Sequence, residues 1–284
     1  MKRIFRTTFV ILGILSFILT VGLWLQMLPL TGILPSTGSF PMHTFLASIT
    51  ASITASLLWI GFSGELGAAA GGAIDLAVFY AGLTIFQLHS LQHGSPPLLG
   101  VLLCLVGAIV SLGIFLWFRR YPIEDRRLQP LPLRVSFAGF VVVLLLVGSA
   151  LLLQVPNVFA WPLNPLSSAI LGCFFLGSAC YFLYGLITPL WHNACGQLWS
   201  FLAYDIVLIV PFLLHFTAVS PARLPSLTVN TIILVYSGAL ALYYLLIKKE
   251  TRSTLKIKSL LSQAKPPERF SRSLADAKYD KLES

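Results

Sequence analysis

The sequence predicts an all-α integral membrane protein with eight transmembrane helices. Three observations predict it. Hydrophobic residues make up 57% of the 284 positions and charged residues only 10%, whereas a soluble domain carries about a quarter charged residues. Mean hydropathy is +0.86. The apolar residues fall in runs of about 20, the length that crosses a bilayer as a helix. The runs are continuously apolar, and a membrane barrel would instead alternate over segments of about 10 residues.

The spans are expected at roughly 5–27, 41–62, 67–87, 98–118, 134–154, 167–188, 197–216 and 228–247. They form one polytopic membrane domain over 1–247, followed by a basic, partly disordered tail over 248–284. No stretch between them is long enough for a soluble domain.

The first span follows "MKRIFR", a start that also suits a signal peptide. No A-x-A-like cleavage site follows, and an uncleaved helix is expected. In the second span, Thr44, Ser48, Ser52 and Ser56 recur every four residues beside Ala47, Ala51 and Ala55. Small residues at that spacing let helix backbones approach closely. Gly67 and Gly71 repeat the spacing in the third span, so spans two and three are expected to pack as a pair. The sharper reading of the hydroxyl face is a polar pathway.

Asp75 continues the Gly67–Gly71 row, about 12 Å from the start of its span at 1.5 Å per residue. Asp205 is expected at a similar depth in span seven, with Pro211 six residues on. No Lys or Arg is expected at either depth. Each aspartate is therefore protonated, holds a cation or faces water. An intramembrane acid is a functional candidate by default. The plainer alternative is a carboxyl hydrogen-bonded to a neighbouring hydroxyl, with Tyr80 and Tyr204 as available partners. Glu65, between spans two and three, reads as solvated or as an N-cap.

The net charge of +9 is unevenly placed. Lys2, Arg3 and Arg6 precede or open the first span. Arg119, Arg120, Arg126, Arg127 and Arg134 crowd the fourth connector, and ten Lys and Arg residues follow from Lys248 to Lys281. With a cytoplasmic N-terminus and eight spans, only Arg223 of the 19 basic residues falls outside, as the positive-inside rule requires. Both termini are then cytoplasmic. The basic excess reads as topology and as contact with anionic lipid headgroups, not nucleic-acid binding. All six tryptophans lie near span ends, as an interfacial belt would place them.

Spans one to four and five to eight read as an internal duplication with parallel repeats. "LQMLP" (25–29) matches "LQVP" (153–156), and "FPMHTFLAS" (40–48) matches "WPLNPLSSA" (161–169). Asp75 and Asp205 then correspond, as do His89 and His215. Such repeats are related by an axis along the membrane normal, an arrangement used by transporters. The segment "FAWPLNPLSSAILGCFFLG" (159–177) also resembles uncharacterised multi-span bacterial membrane proteins sharing an F-x-W-P-L-x-P-L type segment. That resemblance implies a bacterial plasma-membrane protein and carries no activity.

His43, His89, His93 and His215 map to the outer boundary; no motif such as H-E-x-x-H accompanies them, so they read as interfacial histidines and no metal site is expected, with a metal site built from these four as the alternative. His192 lies alone in a cytoplasmic loop. The four cysteines show no C-x-x-C spacing. The uncharged outer loops "LPLTGILPSTGSFP" and "QVPNVFAWPLNP" are expected to lie flat on the membrane. In the tail, "TLKIKSLLSQA" suits a short interfacial helix.

No nucleophile motif, P-loop or nucleotide-binding glycine pattern is present, so neither an enzyme nor a cofactor is expected. The leading expectation is a transporter of a proton, cation or small solute that uses Asp75 and Asp205. The alternative is a non-transporting membrane subunit or scaffold with the aspartates as helix-packing hydrogen bonders.

Overall fold

The computed structural model describes residues 2–27, 40–91, 98–122, 125 and 127–251. His93, the first outer loop over 28–39 and the tail beyond 251 lie outside the described residues.

Eight helices long and apolar enough to cross a membrane are found among the described residues. They are α1 (Lys2–Trp24), α2 (Phe40–Ser63), α3 (Ala69–Leu91), α4 (Leu98–Phe118), α5 (Leu131–Leu152), α6 (Pro165–Ile187), α7 (Trp191–His215) and α8 (Leu224–Leu242). Short 3-10 turns at Leu66–Ala68 and Pro221–Arg223 lead into α3 and α8, and α8 ends in a π-helical turn, Tyr243–Ile247. The chain is a multi-pass, all-α membrane protein, as composition and run length predicted.

The helices form two rows. One runs α1–α2–α7–α8, and the other α4–α3–α6–α5. Helices α2 and α3 are consecutive in sequence yet scarcely touch. This corrects the expectation that they pack as a pair. The reason lies at the turn between them. Gly64 takes a left-handed backbone (φ 80°) and its N–H bonds the Ile60 carbonyl at 2.8 Å, ending α2. Glycine adopts that conformation without a Cβ penalty. The chain then crosses to the other row. The small residues of α2 serve α1 and α7 instead: Gly61 takes Val10 of α1, and Trp59 of α2 lies against Gly196 of α7. Gly71 of α3 takes the Tyr181 ring of α6.

The pattern of packing is unchanged when the two halves of the chain are exchanged. Pair α1–α2 maps to α5–α6, α3–α4 to α7–α8, and α2–α7 to α6–α3. The ends of α1 and α5 also match. Gln26 and Gln154 both sit in the left-handed region, at φ 53° and 55°. In each, the next amide reaches back five residues: Met27 N–H to Gly22 O at 2.9 Å, and Val155 N–H to Ala150 O at 3.0 Å. Glutamine is an uncommon residue for this Schellman-type cap, and both instances fall in the paired "LQ" segments.

Both termini of the described chain and the turns α2–α3, α4–α5 and α6–α7 share one end, here the basic end. An apolar core closes the rows there, built around Trp59, Phe137, Phe182, Trp191, Leu198 and Leu245. The outer helices meet across the rows at this end. Phe5 and Phe9 of α1 each lie 5.5 Å from Phe118 of α4. Phe140 of α5 lies 5.9 Å from Tyr236 of α8. A second core at the opposite end gathers Met42, Phe45, Phe159, Trp161, Phe175 and Phe212.

Two further expectations are corrected here. The loop at 154–165 does not lie flat, because Phe159, Ala160 and Trp161 are buried in that second core. Asn164 then caps α6, its side-chain oxygen accepting from Ser167 N–H at 2.7 Å, with Pro165 at the first turn. The segment used for the family resemblance is thus a plug joined to a helix start. The tryptophans are not one belt. Trp24 and Trp117 face outward, but Trp59, Trp161 and Trp191 are buried. Residues near helix ends face inward as readily as outward, and these three fill the ends of the bundle.

Candidate functional site

Between the two cores lies a cavity of about 800 Å³ to which all eight helices contribute side chains. Its position follows from α3. Ala69, Gly72, Ala73 and Leu76 recur on one face of that helix and line the cavity. A β-carbon at Gly72 would meet nothing within 4 Å. The small residues of "GAAAGGAID" therefore do two things. Gly71 admits a neighbouring ring, and Gly72 and Ala73 leave volume.

Asp75 lies on the edge between those two faces. Its backbone presses on α6 at Gly177, where a β-carbon would meet the Asp75 carbonyl at 2.6 Å and also its carboxylate. The residue is half-buried, its carboxylate packs against Gly177 and meets the Ser178 hydroxyl, and it borders the cavity. Close by is a hydroxyl cluster that joins the two rows. Ser56 of α2 bonds Ser200 of α7, and the Tyr181 hydroxyl of α6 reaches both. All three line the cavity, as does Ser52.

Asp205 is placed differently. Helix α7 begins at Trp191, six residues before the expected start. Asp205 therefore stands about 21 Å along α7, against about 14 Å for Asp75 from Leu66, at 1.5 Å per residue. Asp205 is only 6% exposed and does not line the cavity. Ser237 of α8 lies 3.0 Å from each of its carboxylate oxygens. The same hydroxyl lies 2.9 Å from the Ile233 carbonyl and 3.0 Å from that of Leu234. A serine has one proton to donate. It bonds either the carboxylate or its own helix, so Asp205 and Ser237 act as one hydrogen-bonded unit. The partners of the two aspartates are serines, not Tyr80 or Tyr204. Tyr204 packs edge-on to Phe45, 5.8 Å away, and the Tyr80 ring covers Gly107.

The predicted hydroxyl row of α2 divides. Thr44 and Ser48 are buried, and Ser48 donates to the Phe45 carbonyl of its own helix at 2.6 Å. Only Ser52 and Ser56 reach the cavity. Among the described residues the outer histidines form no metal-type group. His43 is buried in α2, and His89 is exposed at the end of α3. His215 reaches the Ala160 carbonyl at 3.3 Å and lies edge-on to Trp161. Among the described residues no group of His, Cys, Asp or Glu has the arrangement of a metal site.

A second polar cluster at the basic end had no signal in the sequence. Glu65 is 4% exposed, with its carboxylate 3.1 Å from His192 Nδ1. It gives the 3-10 turn no side-chain cap. His192 is not in a loop but in the first turn of α7, and Asp125 lies 3.5 Å from the same nitrogen. Asp125 in turn holds Arg127 through paired bonds of 2.6 and 3.0 Å, and Arg127 donates to the Glu250 carbonyl at 2.6 Å. Hydrogen bonding from Arg127 holds the Asp125 carboxyl below the usual range, with His192 adding to it. The cluster ties together the turn after α2, the connector after α4, the start of α7 and the chain after α8. These partners come from four separate stretches of sequence, so only the fold could bring them together.

Comparison with protein families, with curated proteins and with solved structures finds no match to this chain. The functional reading therefore rests on the residues themselves.

Proposed function

We propose that this multi-pass protein is a transporter of a small solute, with the cavity between the rows as its binding site and Asp75 as its anchor. One observation carries the reading: an intramembrane carboxylate opens on a cavity of about 800 Å³ shared by all eight helices. Ligand pockets commonly enclose about 300–1,000 Å³. That is far more room than a proton or bare cation needs, so of the expected cargoes a small organic solute fits best. Asp75 is assigned to the solute, and Asp205 to holding α7 against α8. The alternative, a scaffold with aspartates as hydrogen bonders, describes Asp205 but leaves the cavity and Asp75 without a role.

The exchange symmetry of the packing and the matched glutamine caps support a duplication of four helices with parallel repeats. In such proteins the site lies near the bilayer midplane at the repeat interface, and transport is rocking of one unit against the other. The Glu65–His192–Asp125–Arg127 cluster would then be a closure at the basic end. Charge bias puts that end in the cytoplasm, with its Lys and Arg residues against anionic headgroups. The family resemblance at 159–177 points to a bacterial plasma membrane.

Substituted-cysteine labelling tests the reading. Ser52→Cys, which lines the cavity, is placed in a chain whose four cysteines are replaced by alanine. An impermeant thiol reagent is then applied from either face of sealed vesicles. Alternating access predicts labelling from both faces. Labelling from one face only, or from neither, contradicts it.

A further inference from the structure

Resting on that reading of the cavity, we infer that its solute is an amphipathic organic monocation: an apolar body carrying one ammonium-like group. The argument is charge and surface complementarity. Among the described residues that line the cavity, Asp75 is the one formally charged side chain, and none is Lys, Arg or His. An anionic solute would meet one carboxylate and no compensating cation. A sugar-like solute would meet a wall whose surface is mostly apolar, although seven serines, Asn230 and three tyrosines also line it.

A cation with an apolar body satisfies both parts of the wall. Its charged group pairs with Asp75, beside the hydroxyls of Ser178, Ser56 and Tyr181. Its body lies among rings such as Phe79, Phe174 and Phe201. Aromatic faces also attract cations directly, by about 0.5–2 kcal/mol per contact, more when water is excluded. The same pairing offsets the cost of holding a carboxylate in an apolar site. Asp205 is not assigned to the solute, because it does not itself line the cavity; its partner Ser237 does.

Tetraphenylphosphonium and tetraphenylborate share shape and apolar surface and differ in the sign of charge. Equilibrium binding of each to the purified full chain in nanodiscs tests the inference. The cation should bind saturably, and the anion weaker by about tenfold or more. Asp75→Asn should remove most of that preference. Asp205→Asn should leave it within about twofold, with folding of both variants checked by gel filtration and thermal unfolding. Equal binding of the two ions, tighter binding of the borate, or an undiminished preference in Asp75→Asn would overturn the inference. If neither ion binds while Ser52→Cys is labelled from both faces, the cation assignment falls and the transporter reading stands. If the cation binds but labelling comes from one face only, the site stands and transport falls.

Discussion

Two aspartates that read alike in the sequence have different surroundings. Asp75 borders a cavity where water or a solute can satisfy it. Asp205 has one serine and little else. This difference predicts unequal responses to loss of each partner. Ser237→Ala leaves Asp205 buried with an unmet acceptor, a loss of about 1–3 kcal/mol. Ser178→Ala should cost less than Ser237→Ala, because Asp75 borders the cavity, where water can replace the lost hydroxyl, although Ser178 itself is buried. Thermal unfolding in detergent measures both, and equal losses would contradict the assignment. The aspartates were legible because a carboxylate stands out in an apolar run. Their serines were not, because Ser is common in such helices and only packing decides which one faces an acid. Glu65 and His192 were misread for the same reason. Each looked solvated in its local context, and burial came from elements distant in sequence.

At the scale of helices, number, order and approximate ends were legible from run length and hydropathy. Partner choice was not. Small residues announce that something approaches closely but not what, and the stripe on α3 proved to serve a ring on one side and a cavity on the other. The turn at Gly64 sends α3 to the second row, a decision held in one backbone conformation. Arg6 supports that turn: its guanidinium donates to the carbonyls of Gly61 at 3.1 Å and Phe62 at 3.0 Å at the end of α2. At Gly177 of α6 a β-carbon would meet the Asp75 carbonyl of α3 at 2.6 Å. Gly177→Ala should therefore lower stability by about 1–3 kcal/mol through overpacking. Gly113→Ala, on open surface of α4 with nothing within 4 Å, should be neutral or stabilising, since alanine is the better helix former. Thermal unfolding of the two variants side by side checks this, and a tolerated Gly177→Ala would show that α3 and α6 are less tightly apposed.

For the whole molecule, the two rows are related by exchange of the chain's halves, and the cavity sits where they face each other. Aromatic cores close both ends of that interface. The paired "LQ" and Pro-containing segments suggest a repeat, but nothing in them suggests the interleaving of the halves. Each row takes two helices from each half, which no local pattern encodes. Asp75 borders the cavity, whereas Asp205 lies behind its wall, packed against Ser237. Dicyclohexylcarbodiimide, an apolar reagent for carboxyl groups, tests it directly when the full chain is treated in membranes and its peptides are mapped by mass spectrometry. Modification of Asp75, absent from Asp75→Asn, is expected with Asp205 unmodified; modification of Asp205 as readily as Asp75, or an unmodified Asp75, would contradict this difference between them.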